Sequence, residues 1–76
     1  MKVKEYLENT SNDWCKCFNL GGYVGFIIYG KDEPTKQMLK SIMSCSDYIK
    51  IIPRSKALPK YDLPCFFIAT KVVCYE

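Results

Sequence analysis

The sequence predicts a single α+β domain: a mainly antiparallel four-stranded sheet with one or two helices packed on it. Two observations support this fold class. Apolar residues recur at helical spacing in two segments and at strand spacing in four, and these segments follow the order α-β-β-α-β-β. A chain of 76 residues holds one domain only, so we expect residues 1–76 to form it. With 49% apolar residues, the chain has enough hydrophobic side chains to fold.

The first element is predicted to be a short helix near the N-terminus. Val3, Tyr6 and Leu7 have the spacing of one helical face, and charged residues stand between them. We expect this helix to end within residues 9–12, where Asn, Thr and Ser side chains compete for backbone hydrogen bonds.

A β-hairpin is predicted next, with strands over 13–19 and 23–29. Gly21 and Gly22 between them can adopt the positive φ angles of a tight turn. The second strand has apolar residues on both faces, which predicts a central place in the sheet with something packed over each side. One face of the first strand carries Trp14, Lys16 and Phe18, and the other carries Cys15 and Cys17.

The second helix has the clearest pattern in the chain. We expect Asp32 to cap its first turn, where Pro34 is also tolerated. Its polar residues are fully segregated from its apolar ones, so we expect the helix to lie on the sheet. The apolar face consists of Met38, Leu39, Ile42, Met43 and Cys45.

Two further strands complete the predicted sheet, over 48–52 and 65–75, with Pro53 ending the first of them. The phenylalanines of all strands, including Phe18, are expected to lie mostly in the core together with Trp14. If one face of the sheet carries no helix, the alternative is that this face presents Trp14, Lys16, Lys71 and Tyr75.

Composition and charge limit the possible functions. The net charge is +3, which excludes a mimic of the DNA backbone because such a protein needs an acidic surface. No apolar stretch is long enough to span a membrane and no signal peptide is visible, so we expect a cytoplasmic protein. The cysteine count of five is odd, and we interpret these residues as free thiols that act mostly as small apolar groups.

Catalytic and metal-binding motifs are missing from the sequence. The chain has no histidine and no Cys-x-x-Cys pair, and the side chains of Cys15 and Cys17 would stand about 7 Å apart on a strand. No nucleophile has an evident base beside it. We therefore expect neither an enzyme nor a protein that holds a metal or other cofactor.

The candidate binding site is the connection between the third and fourth strands. It is basic over 50–60, contains no acid there, and is stiffened by proline. Loops of this length are uncommon in small domains and are often functional. The predicted partner-binding residues are Lys50, Arg54, Lys56, Lys60 and Tyr61.

These observations predict a small binding module that docks on a larger protein or nucleoprotein complex as an inhibitor or accessory subunit. A chain rich in Lys, Ile and Tyr is typical of short phage or mobile-element proteins, and an anti-defence role fits such a protein. The alternative is a nucleic-acid-binding protein that uses the basic 50–60 segment, with Tyr61 stacking on a base. A third possibility is a homodimer joined through an edge strand, over 13–19 or 48–52.

Overall fold

The computed structural model describes residues 1–10, 13–54 and 63–73 and confirms the predicted order of elements. All strand pairs in the four-stranded sheet are antiparallel. None of the helices within the described residues is long and apolar enough to cross a membrane. The helices and strands are α1 (Val3–Glu8), β1 (Trp14–Leu20), β2 (Tyr23–Tyr29), α2 (Lys36–Met43), β3 (Lys50–Pro53) and β4 (Cys65–Val72).

The strands lie in the order β1-β2-β4-β3, so β2 and β4 are central and β1 and β3 form the edges. The central position predicted for β2 is confirmed. Phe26, Ile27 and Ile28 are all buried although consecutive side chains of a strand point to opposite faces. Both faces of β2 are therefore covered in the middle of the strand, whereas its two ends are only partly buried.

Both helices pack on one side of the sheet, which we call the helix-bearing face. Val3 and Leu7 from α1 and Met38 and Ile42 from α2 form one core with strand residues such as Phe66. Neither helix contributes to the second face. The second face is built around Ile27, Cys65, Phe67 and Ala69, flanked by Cys15, Cys17, Leu20, Tyr23, Tyr29 and Ile52.

One face of the sheet carries no helix, but the predicted placement of Trp14, Lys16 and Lys71 on that face is wrong. Trp14 lies on the helix-bearing face, where its ring meets Phe26 edge-on with centroids 5.4 Å apart. Lys16 pairs with Phe26, and Lys71 pairs with Val24. Val24 and Phe26 are two residues apart on β2 and share the helix-bearing face, so both lysines lie on that face as well. Tyr75 lies outside the described residues.

Bulges in β1 and β4 change the side-chain alternation that the sequence predicts. In β1 an extra residue stands between Cys17 and Leu20, and there Phe18 is 72% exposed, so its predicted core position is wrong. In β4 the register shifts at Thr70. Val72 consequently pairs with Tyr23 and shares its side of the sheet, the second face.

The cap of α2 differs from the prediction, and the first amide of α1 is bound by a residue distant in sequence. Thr35, not Asp32, caps α2: its hydroxyl accepts a hydrogen bond from the Met38 amide at 3.2 Å. Asp32 instead pairs with Arg54. The first amide of α1, on Val3, donates to the Asp47 carboxylate at 2.9 Å. Asp47 lies 44 residues further along the chain, so α1 is held by a partner that local sequence cannot reveal.

Helix and strand bounds also shift by a few residues. β1 begins and ends one residue later than predicted, β4 ends at Val72, and Met43, predicted on the apolar face of α2, is mostly exposed. Pro53 belongs to β3, where it pairs with Phe66, although we expected it to end the strand. Proline is tolerated on an edge strand when its missing N–H would face away from the sheet.

Candidate functional site

The structure separates the predicted partner-binding residues. Lys50 begins β3 and is exposed, and Arg54 follows the same strand at its other end. Lys56, Lys60 and Tyr61 lie outside the described residues. Four residues of extended chain span about 13 Å, so Lys50 and Arg54 belong to different parts of the surface.

Arg54 makes a structural contact. Its guanidinium lies 3.6 Å from the Asp32 carboxylate, and its backbone amide donates to the Asp32 carbonyl at 3.4 Å. These two contacts join the end of β3 to the connection between β2 and α2. The ion pair also offsets the charge of Arg54, so this residue adds little net positive charge to the surface.

Lys50 lies beside an aromatic ring on the second face. Its ammonium group is 5.3 Å from the ring centroid of Tyr23, within the range of a cation–π interaction. Tyr23 is the first residue of β2 and only partly buried. The contact therefore fixes a cation and a phenol at one end of the sheet, close to the β1–β2 turn.

Apolar side chains surround this pair. Tyr23 pairs with Leu20 on one side and with Val72 on the other, and paired residues share a face of the sheet. Val72 is the last residue of β4, and its apolar side chain is 54% exposed. We call the surface formed by Leu20, Tyr23, Lys50 and Val72 the hairpin-end patch.

Sequence reasoning found Lys50 but missed the other three residues of the hairpin-end patch. In a regular strand the even-numbered residues share one face, which would place Val72 with Phe66 and Ile68. The bulge at Thr70 moves Val72 to the second face instead. Leu20 and Tyr23 flank the Gly21–Gly22 turn, whose glycines have φ angles of 60° and 89°. That turn was the one local signal that places these two side chains next to each other.

A second exposed aromatic residue lies on the helix-bearing side of β1. The ring of Phe18 has the ammonium group of Lys16 5.1 Å from its centroid. The two side chains lie on an edge strand, next to the bulge. This pair is separated from the hairpin-end patch because the sheet itself lies between the two faces.

The thiols show no arrangement for catalysis in the described part of the chain. Cys45 and Cys65 are buried, and burial raises the pKa of both thiols, which keeps them in the unreactive protonated form. Cys15 is half-buried, with its sulfur 3.2 Å from the Tyr29 hydroxyl. All four cysteines from Cys15 to Cys65 are free, and Cys74 lies outside the described residues.

Metal ligands are not clustered among residues 1–10, 13–54 and 63–73. No group of three or more His, Cys, Asp or Glu side chains there could hold a metal ion. Cys15 and Cys17 lie on the second face, where Ile27 and Gly25 are their respective partners across β2. Two thiols alone do not provide the four ligands of a structural zinc site.

Comparisons with known proteins assign no role to these surfaces. No protein-family model matches the chain, no curated protein matches it, and no solved structure matches it. The contacts described above are therefore the basis for choosing between candidate functions.

Proposed function

We propose that this protein is a non-catalytic binding module that docks on a larger protein through the hairpin-end patch. The observation that carries the proposal is the Lys50–Tyr23 contact beside the exposed side chain of Val72. Tyrosine is enriched at protein interfaces because a rigid ring supplies apolar contact area and its hydroxyl supplies a hydrogen bond. The patch combines these properties with one cation and two aliphatic side chains.

The charge of the patch favours a partner with an acidic group next to an apolar one. The described acidic residue nearest in sequence to Lys50 is Asp47, whose carboxylate caps α1. The Lys50 ammonium lies over the Tyr23 ring, so the positive charge of the patch stands beside its aromatic side chain. A carboxylate on the partner could pair with this ammonium while an apolar side chain covers Tyr23 and Val72.

We further propose that docking inhibits the partner or makes the protein an accessory subunit of a larger complex. The size and composition of the chain are typical of short phage or mobile-element proteins, and an anti-defence target fits that class. The basic segment over 50–60 begins at Lys50, so it adjoins the patch in sequence and belongs to the same proposal.

Nucleic-acid binding is the second candidate function. Lys50 beside Tyr23 also pairs a cation with an aromatic ring, which is the combination that binds single-stranded nucleic acid. We place it second because Arg54, the other described cation of the basic segment, already pairs with Asp32. A nucleic-acid site would gain most of its affinity from several unpaired cations.

Affinity capture from extract of the source cells distinguishes the two functions. The extract is divided, one half is treated with nuclease, and both are washed over a salt series before mass spectrometry. A protein retained in stoichiometric amount after nuclease and moderate salt is the expected result. Recovery of nucleic acid alone, lost steadily as salt rises, would contradict protein docking and support the second candidate.

A further inference from the structure

The outer edge of β1 offers backbone groups for pairing with another strand. Asp13 faces β2, because its carbonyl accepts a hydrogen bond from the Tyr29 amide at 2.9 Å. In an antiparallel pair, successive residues point their N–H and C=O groups alternately toward and away from the partner strand. The N–H and C=O groups of Trp14 and Lys16 therefore point away from β2, along the outer edge of the sheet.

The other edge of the sheet is less suitable for pairing. β3 has four residues and ends in Pro53, which has no N–H to donate. β1 has seven residues and stays in regular register from Trp14 to Cys17. Short strands, proline, lysine and bulges are means by which proteins prevent edge pairing. β1 has no proline, and its bulge lies beyond Cys17, so Lys16 is the only such feature within the regular stretch.

We propose that a second copy of this chain pairs with β1 and joins the two sheets into one antiparallel sheet. The two-fold axis is perpendicular to the sheet and passes midway between the two Cys15 residues. Trp14 of each copy then lies opposite Lys16 of the partner subunit, and these residues exchange four backbone hydrogen bonds. The helix-bearing faces of both copies lie on the same side.

Charge and the bulge in β1 disfavour the two registers that lie further along the strand. An axis through Lys16 would place two ammonium groups directly opposite each other, which destabilises a strand pair. An axis through Cys17 would require pairing across the bulge that follows it. With the axis through Cys15, the Lys16 ammonium meets the indole of Trp14 of the partner subunit, a favourable cation–π contact. Lys16 already lies over an aromatic ring, that of Phe18, on this face.

The register also fixes which thiols meet. The two Cys15 residues form a non-hydrogen-bonded pair with Cα atoms about 4.5 Å apart, within the range that a disulfide can bridge. Each Cys17 lies opposite residue 13 of the partner subunit, so the two Cys17 residues are four positions, or about 13 Å, apart along the strands. No disulfide spans that distance. The two cysteines of β1 are therefore a matched pair of probes for the register.

Oxidative cross-linking tests the register. Concentrated protein is treated with diamide, a diazene that accepts two electrons and two protons as two thiols form one disulfide. We expect a covalent dimer from the wild type and from Cys17→Ala, and only background from Cys15→Ala. A covalent dimer that persists in Cys15→Ala, or that disappears in Cys17→Ala, would overturn the proposed register.

Light scattering under reducing conditions tests the association itself. The interface is small, so we expect the average mass of the wild type to rise from that of a monomer toward twice that value as concentration increases. Lys16→Pro removes an outward-facing amide and should remain monomeric, with circular dichroism as the check on folding. A constant monomer mass for the wild type overturns the proposal, whether or not Lys16→Pro folds.

The dimer does not depend on the proposed docking function. The hairpin-end patch lies outside the paired stretch, at the far end of β1. In the dimer, the two patches lie on the same face of the continuous sheet and at opposite ends of it. Failure to dimerise would therefore leave protein docking by the single chain untouched.

Discussion

At Gly25, on β2, the carbonyl oxygen of Ile68 occupies the space that a β-carbon would need. The register shift between β2 and β4 occurs next to this residue. Any side chain at this position would have to push the backbones of the two central strands apart. Gly25 is therefore required by close packing, in contrast to the glycines of the hairpin turn, which have open space around them.

Gly25→Ala should lower the free energy of unfolding by about 3 kcal/mol, the upper range for overpacking a core. Gly21→Ala is the control, because a β-carbon there contacts no neighbouring atom. The substitution is destabilising only because the backbone at this position has a positive φ of 60°. That conformation costs a non-glycine residue about 1 kcal/mol. Urea denaturation of both variants measures the difference, and equal losses would show that the Ile68 carbonyl is not the cause.

The buried thiols predict how stability depends on alkaline pH. Burial raises the pKa of Cys45 and of Cys65 in the folded protein, so the unfolded chain releases these protons at lower pH than the folded one. Their contribution to stability is fully present below the ordinary thiol pKa of about 8.5 and is lost as the pH rises through the higher folded values. Burial also raises the pKa of Tyr6, which extends the loss to still higher pH.

Urea denaturation from about pH 7 to about pH 10 measures this effect. The double variant Cys45→Ala/Cys65→Ala should show a smaller fall in the free energy of unfolding over the alkaline half of that range. The fall is measured for each protein from its own free energy of unfolding near neutral pH, because that value already includes the packing lost by the two substitutions. An unchanged alkaline slope would show that other groups dominate the titration.

Phe18 shows what residue-level patterns miss. Phe18 is spaced by two residues from Lys16 and by four from Trp14, which predicted that the three share one face of the strand. The Lys16–Phe18 contact fits that prediction. Its predicted burial failed because neither helix contributes residues to a core at that position, and the bulge interrupts the strand there. The position of a bulge depends on pairing with another strand, which single-residue patterns do not encode.

Among the elements, α1 depends on a contact from outside its own sequence. Asp47 accepts the hydrogen bond of the Val3 amide, and the carbonyl of Met1 accepts one from the Ser46 amide at 2.9 Å. These two bonds hold the N-terminus against the segment after α2. Since α1 has six residues, it is too short to be stable alone.

Asp47→Ala should cost about 1 kcal/mol of stability, the usual loss for a removed helix cap, and should increase hydrogen exchange in α1. Asp47→Asn is the matched control, because its side-chain oxygen can still accept from Val3. Thr35→Ala removes the cap of α2 and should affect exchange there instead. If α1 exchanges equally in the alanine and asparagine variants, the Val3 hydrogen bond does not hold the helix.

Periodicity predicted that all six elements exist, because each buries an apolar face of the right period. It predicted their ends less well, and capping explains the difference at the helices. Asp32 and Thr35 are both good capping residues. In the structure Asp32 pairs with Arg54, and Thr35 caps the helix.

At the scale of the molecule, the strand order creates the candidate surface. β4 lies between β2 and β3, so Val72 lies beside Tyr23 although 48 residues of chain separate them, and Lys50 reaches the same ring. Sequence alone gave the class of fold but no strand order, because antiparallel strands in several orders satisfy the same pattern. The hairpin-end patch could therefore be recognised only in the folded molecule.

The two proposed interactions use different surfaces of the molecule. The outer edge of β1 is the proposed dimer contact, and the proposed docking patch lies on the second face at the turn end of the sheet. Neither surface uses the helices, whose apolar sides face the core. Variants of exposed helix residues such as Lys36 and Met43 should thus leave both interactions intact and can serve as controls.

Quantitative affinity capture with a patch variant is the most direct test of protein docking. Tyr23→Ala/Lys50→Ala removes the cation and the aromatic ring, and Lys36→Ala/Met43→Ala is the matched control on α2. We predict that the wild type and the control recover the same nuclease-resistant partner. The patch variant should recover about tenfold less, which corresponds to losing about 1.4 kcal/mol of binding free energy. Equal recovery by the patch variant, with its fold intact, would contradict docking through the hairpin-end patch.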